Sequence, residues 1–253
     1  MTNKPSRIDQ AYIALKSAII EQALRPGDKL PEDEVGQLFS MSRTLVRQVF
    51  TRLNGEGLIE IGGKRPATVS IPSLDDAVAA FEVRHALEKE VVRLVIKRWT
   101  PEQQTTLEAH LAKEIEAASI GSAPMSIRLA GEFHTLLADM SGNFLLARFV
   151  SEIVARCSVI LAVYGRPHST ECGVHEHQEI IDAIAAGDEV KALKLMHHHL
   201  GEVEARAMIT SSDAPSRTLA ESLSPYVEGA NRPEPIPAKT RGRPRLQMIK
   251  DTR

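Results

Sequence analysis

Apolar and polar residues alternate along this chain with two different periods, and the change of period divides it. Over residues 7–24, "RIDQAYIALKSAIIEQAL", the positions Ile8, Tyr12, Leu15, Ile19 and Ala23 recur at helical spacing. Pro26-Gly27 in "RPGDKLP" stops that pattern. "EDEVGQLFS" predicts a short helix. "MSRTLVRQVFTRLNGEG" predicts a second, with Ser42 as N-cap and Gly55 or Gly57 past its end. "LIEI" and "ATVSI", separated by "GGKRP", predict a small hairpin, and "IPS" (71–73) a linker.

Beyond the linker no strand-like alternation remains. Ser73 and Asp75 open a long helix to about Arg98, and Thr100-Pro101 starts another. Pro124 starts a third, which ends at "SGN" (141–143), and Asn143 caps a fourth to about Tyr164. "GRPHST" is a loop. Two more helices are divided at Gly187-Asp188. From about Ser211 the chain is rich in Ser, Pro and charge, which predicts disorder. The fold class is thus mainly α. A helical domain with a β-hairpin (5–72) precedes an all-α bundle of about six helices (73–210) and a disordered basic tail (211–253).

The bulk numbers narrow the class. With 253 residues, 43% hydrophobic and 25% charged, the chain can form two domains with real cores. No apolar run approaches the roughly 20 residues needed to span a bilayer. The N-terminus has no apolar h-region, so neither membrane nor secretion is expected and the cytoplasm is the default. Cys157 and Cys172 make neither a disulfide framework nor a zinc-finger spacing. The net charge of −2 is segregated. Residues 1–72 carry 10 Lys+Arg against 8 Asp+Glu, residues 73–210 carry 13 against 20, and residues 211–253 carry 8 against 5. The two ends, not the acidic middle, would meet a polyanion.

Helix, short turn, helix and hairpin is the layout of a winged helix-turn-helix. In the second helix Leu45, Val46, Val49, Phe50 and Leu53 form one apolar stripe, while Arg43, Thr44, Arg47, Gln48 and Thr51 fall opposite. A recognition helix needs that division, one face to pack and one to offer guanidiniums and hydroxyls to phosphates and base edges. Lys64 and Arg65 at the hairpin tip could touch phosphate or the minor groove. A basic solvated face on an ordinary helix is the alternative reading. The stretch Pro26-Gly27, Leu30-Pro31-Glu32, Ser42-Arg43-Thr44-Leu45-Val46-Arg47 and Leu53 through Gly57-Leu58 resembles the DNA-binding domain of the GntR family of bacterial transcription regulators, over about residues 7–71. The resemblance implies that Ser42, Arg43, Thr44 and Arg47 contact an operator. Two departures stand out. Asp33 occupies a position where many members carry a basic residue, removing one expected contact, and the wing reads "GGKRPATV" rather than the commoner Arg-Gly form.

"FEVRHALEKEVVRLV" (81–95), "EFHTLLADMSGN" (132–143) and "HQEIIDAIAAGDEVKALKLMHHHL" (177–200) resemble the FadR-type C-terminal domain, or FCD, an all-α effector-binding bundle. In metal-binding members three histidines and an aspartate meet inside it. The resemblance puts the histidines at His134, His177 and His199. Helical phase agrees for the last. His199 lies three residues after Met196 and four after Leu195, on the apolar stripe, while His197 and His198 rotate away. Three imidazoles with an open position would suit zinc or a similar divalent transition ion. A satisfied core histidine is the plainer reading of each alone. Ala130 stands where the family's aspartate ligand would be, so weaker metal binding is expected. Arg84 could pair with an effector carboxylate or with Glu88 one turn on.

"KTRGRPRL" (239–246) resembles an AT-hook, with Arg241, Arg243 and Arg245 as minor-groove candidates. Together these features predict a DNA-binding transcription regulator. It would be a homodimer on a palindromic operator of double-stranded DNA, controlled by a small organic acid bound in the bundle among Arg84, His134, His177 and His199. A metal-dependent hydrolase is the rival, and a regulator for which the metal itself is the signal is a third reading. The hydrolase lacks an H-E-x-x-H motif and a clear general base.

Overall fold

The computed structural model describes residues 6–63, 65–165, 170–207 and 218–227. The first helix, α1 (Arg7–Ile20), starts where the Ser6 hydroxyl accepts from the Asp9 amide, and buries Ala11, Tyr12, Leu15, Ala18 and Ile19. α2 (Glu32–Leu38) and α3 (Arg43–Gly55) form the helix-turn-helix. Their close crossing depends on Gly36, where an added Cβ would lie 2.8 Å from the Met41 carbonyl oxygen. The turn between them places Ser40 at φ 52°. Ser42 occupies the N-cap position of α3, but its side chain makes no capping hydrogen bond.

The hairpin forms as expected from β2 (Ile59–Glu60) and β3 (Ala67–Val69). A third strand was not expected. Lys29–Leu30 (β1) pairs antiparallel with β3, giving the order β1-β3-β2. α1 ends at Ile20, short of the expected stop at Pro26-Gly27 and without Ala23: Gln22 at φ 59° breaks it, and the Leu24 amide closes the end on the Ala18 carbonyl. Gly27 at φ 84° then donates to the Val69 carbonyl and turns the chain into that strand. Two residues are too few to show alternation, so this pairing has no period to read.

The bundle consists of α4 (Leu74–Lys97), α5 (Pro101–Ser119), α6 (Ala123–Met140), α7 (Phe144–Tyr164), α8 (Thr170–Ala185) and α9 (Glu189–Ala207). Capping boxes at Ser73/Asp76 and Thr100/Gln103 and the Asn143 cap set three of the starts. Val92, Val95, Leu107, Phe133, Leu137, Val150, Ile180, Ile184 and Leu200 make its core. α7 also reaches the first domain. Ala155 and Val159 join the core of the winged helix, and the Tyr164 hydroxyl donates to the Pro72 carbonyl.

The expectation of disorder from Ser211 onward does not hold for residues 218–227. There α10 (Leu219–Leu223), started by a Thr218/Glu221 capping box, and a 3₁₀ turn (Ser224–Tyr226) return to the winged-helix domain. Leu223 is fully buried in that domain's core, and the Tyr226 hydroxyl donates to Glu21 at the end of α1. Leu219, Leu223 and Tyr226 form an apolar stripe inside a Ser- and Pro-rich composition. The surface that buries it lies some 200 residues upstream, so composition alone could not reveal it.

Candidate DNA-contacting face and three-histidine centre

The amphipathic division of α3 is realised. Val46, Val49, Phe50 and Leu53 are buried, while Arg43, Thr44, Arg47, Gln48 and Thr51 are exposed on the far side, together with Ser42 at the cap. The arginines are not idle in solvent. Arg43 donates from Nε and Nη2 to the two carboxylate oxygens of Asp33, at 2.5 and 2.7 Å. Arg47 Nε donates to Glu32 at 2.8 Å. Arg65 is exposed beside the wing turn, whereas Lys64 lies outside the described residues, as do Arg241, Arg243 and Arg245.

In the bundle, α6, α8 and α9 bring His134, His177 and His199 to one point, all three buried. Their Nε2 atoms face one another. His199 Nε2 lies 3.2 Å from that of His134 and 3.3 Å from that of His177. Each Nδ1 is engaged by a carboxylate from elsewhere: Glu88 on α4 for His134 (2.5 Å), Glu114 on α5 for His177 (2.9 Å) and Glu176 on α8 for His199 (2.6 Å). The Phe133 ring stacks on His177 with centroids 3.9 Å apart and fixes its plane. A carboxylate acceptor on Nδ1 puts the proton there and leaves the Nε2 lone pair pointing at the common centre.

Burial decides the protonation of two of these rings. It depresses His134 to about 3, outweighing the opposite pull of Glu88, and His199 to about 4, outweighing the hydrogen bond to Glu176. Both are neutral near pH 7, in the form that binds metal. Burial works against the Glu114 carboxylate, but the neighbouring His110 ring and the hydrogen bond from His177 more than offset it and hold its pKa down. The three imidazoles could therefore hold a divalent ion. His197 and His198 are exposed, as the helical phase required.

Arg84 is buried, and its Nε donates to Glu88 at 2.6 Å, the i+4 pairing that the spacing allowed. It stands behind Glu88, which in turn holds His134. Glu114 and Glu176 were missed in the sequence as partners of the histidines, and Glu88 was foreseen only as a partner of Arg84. Glu114 carried a signal, because it falls on the buried stripe of Leu107, Leu111 and Ala117, where an acid must have a partner. Glu176 carried none. It adjoins His177 in sequence yet serves His199.

A winged helix-turn-helix joined to an all-α bundle is the layout of a DNA-binding regulator. Comparison with known proteins names the family. Residues 7–69 match the model of the bacterial regulatory proteins of the gntR family, and residues 79–202 match the FCD domain. The HTH-type transcriptional repressor NanR of Salmonella newport is 30% identical over 218 residues, which cover 74% of this chain and 81% of the repressor. The HTH-type transcriptional regulator YdhC of Bacillus subtilis is 27% identical over 179 residues, 69% of this chain and 79% of the relative. Among solved structures, E. coli McbR/YncC superposes with a TM-score of 0.73 at 20% identity, covering 81% of this chain and 98% of that one, and so shares the fold. This chain belongs to the GntR family and carries an FCD domain. It is a transcription regulator rather than an enzyme, and the hydrolase alternative falls with that finding. Among the described residues no helix is long and apolar enough to cross a membrane.

Proposed function

We propose that this regulator is a cytoplasmic homodimer on a palindromic operator, and that its DNA affinity is set by a small carboxylic acid bound at a divalent metal held by His134, His177 and His199. One observation carries the reading: three buried Nε2 atoms converge while each Nδ1 is tied to a carboxylate. Neutral imidazoles meeting lone pair to lone pair repel one another unless a cation lies between them. The spacing supports a cation. A tetrahedral ion with metal–nitrogen bonds of about 2.0–2.1 Å has ligand–ligand edges of roughly 3.3–3.4 Å, against the observed 3.2 and 3.3 Å.

With Ala130 in place of an acidic ligand, all three protein donors are neutral, and a carboxylate can complete the shell. Glu88, Glu114 and Glu176 lie one bond further out, where they orient the rings and offset the ion and Arg84. Arg84 acts through Glu88. On this reading Ser42, Arg43, Thr44, Arg47 and Gln48 contact the operator, with Lys64 and Arg65 on the wing and Arg241, Arg243 and Arg245 of the tail on A·T-rich flanks. The likeness to a NanR repressor favours repression.

The test is operator binding followed by fluorescence anisotropy. It uses untagged protein purified without chelator, its metal content measured first, and the DNA upstream of its own gene. A panel of small carboxylic acids is added with and without zinc. An acid should change wild-type affinity only in the metal-loaded protein, and His199→Ala should lose the response. Zinc alone shifting the affinity would make the metal the signal. If metal-free wild type and His199→Ala both respond to an acid, the histidines are only polar pocket residues.

A further inference from the structure

The departure at Asp33 has a structural counterpart. Where a basic side chain would reach for DNA, this chain places a carboxylate that holds the first arginine of the recognition helix by two bonds. We propose that Asp33 is a positioning residue for base reading. It fixes the Arg43 guanidinium by its side edge so that the end edge, Nη1 and Nη2, is presented to one guanine of the operator. This rests on the reading that α3 contacts the operator.

The geometry of the donor supports it. A guanidinium has five N–H groups in a rigid plane. Asp33 takes the Nε proton and one Nη2 proton. The remaining Nη2 proton and one from Nη1 lie along the other edge, with the spacing that matches guanine O6 and N7. The two engagements are compatible in one plane, so the acid need not be displaced when DNA binds. Arg47 is held differently. Both Glu32 oxygens meet its Nε, at 2.8 and 3.0 Å. Its guanidinium is tethered at one point, while that of Arg43 is locked along an edge.

Fold stability does not account for the pair. The side chains are 67% and 58% exposed, and exposed ion pairs contribute little, because water competes and two side chains must be ordered. That ordering is useful if the arginine must arrive in one rotamer, since it is then not charged against binding. Asp33 is ionised at neutral pH like any exposed carboxylate, and the hydrogen bond from Arg43 lowers its pKa further. A carboxylate this close to the phosphates weakens attraction to any DNA. Orientation and repulsion therefore predict opposite signs, which makes the two separable.

The experiment uses the full-length protein and a duplex selected by the wild type from a random pool. Affinities are measured at one salt concentration for that duplex, for its single base-pair variants and for a random duplex of equal length. Arg43→Ala identifies the base pair it reads by abolishing discrimination there, about 5- to 150-fold for one bidentate contact. Asp33→Asn should bind the random duplex as tightly as wild type or tighter, and lose at least fivefold of discrimination at that same base pair. In the Arg43→Ala background, Asp33→Asn should change no discrimination. If Asp33→Asn raises affinity for the selected and random duplexes equally, Asp33 is only a repelling charge and the proposal is overturned. If Arg43→Ala leaves every base pair discriminated as before, the base-contact reading falls, and the proposal with it. Both positions are exposed, so the variants should fold, which circular dichroism checks.

Discussion

Replacing His199 with alanine tests the histidine centre most directly, because its two sequence neighbours are built-in controls. Metal that binds only the folded chain stabilises it by RT ln(1 + [M]/Kd), about 2.7 kcal/mol at a free concentration 100 times Kd. A domain of this size shifts its melting temperature by roughly 4 °C per kcal/mol, so zinc at that level should raise the wild-type transition by about 10 °C. His199 supplies the Nε2 that lies within 3.3 Å of both others. Loss even of an outer hydrogen-bond partner costs 10–100-fold in metal affinity, and loss of a ligand costs more. A 100-fold loss brings the ion to its Kd, where the gain is only about 0.4 kcal/mol, or roughly 2 °C. His197→Ala and His198→Ala, both exposed, should keep the full shift. The assay is scanning calorimetry of each protein with and without zinc. The quantity compared is the zinc-induced difference, which cancels any packing cost of the substitution itself. An equal shift in His199→Ala, or its loss in His197→Ala, would show that zinc binds elsewhere and that the convergence of the three rings is not a metal site.

Metal-free protein should lose stability as pH falls from about 6.5 to 4.5. The unfolded chain takes up protons at the ordinary histidine value, whereas folded His134 and His199 wait until about 3 and 4, so the unfolded state binds more protons. Each contributes roughly 1.4 kcal/mol per pH unit, and a flat denaturation midpoint across that window would contradict the burial argument. Glu114→Gln removes the charged acceptor behind His177 and should weaken zinc binding about 10–100-fold without touching the ion, a loss that titration with a competing chelator would read. Leu223→Ala should destabilise the winged-helix domain by about 2 kcal/mol, the low end for a buried leucine. The short α10 segment can simply undock, which caps the loss. An unchanged denaturation midpoint would mean that the segment adds nothing to that core.

The chain's local code determined much of this. Capping residues and helical stripes marked the ends of the bundle helices within a few residues, because the starts at Ser73, Thr100, Asn143 and Asp188 each carry a hydrogen-bond partner three positions away. The polar face of α3 was fixed by its period, and so was the choice of His199 over His197 and His198. What local order cannot encode is which distant groups meet. β1 is two residues long and exists only because β3 offers it a ladder. Leu223 is hidden because the winged-helix core has room for it. Arg43 finds Asp33 across a turn whose closeness depends on Gly36. The centre shows the limit most plainly. The family pattern singled out three histidines, yet the pairing of Glu88 with His134, Glu114 with His177 and Glu176 with His199 links residues 46, 63 and 23 apart. Only the packing of six helices brings those carboxylates behind the rings, and it is that packing, through burial and a fixed Nδ1 proton, that turns three histidines into three aligned donors.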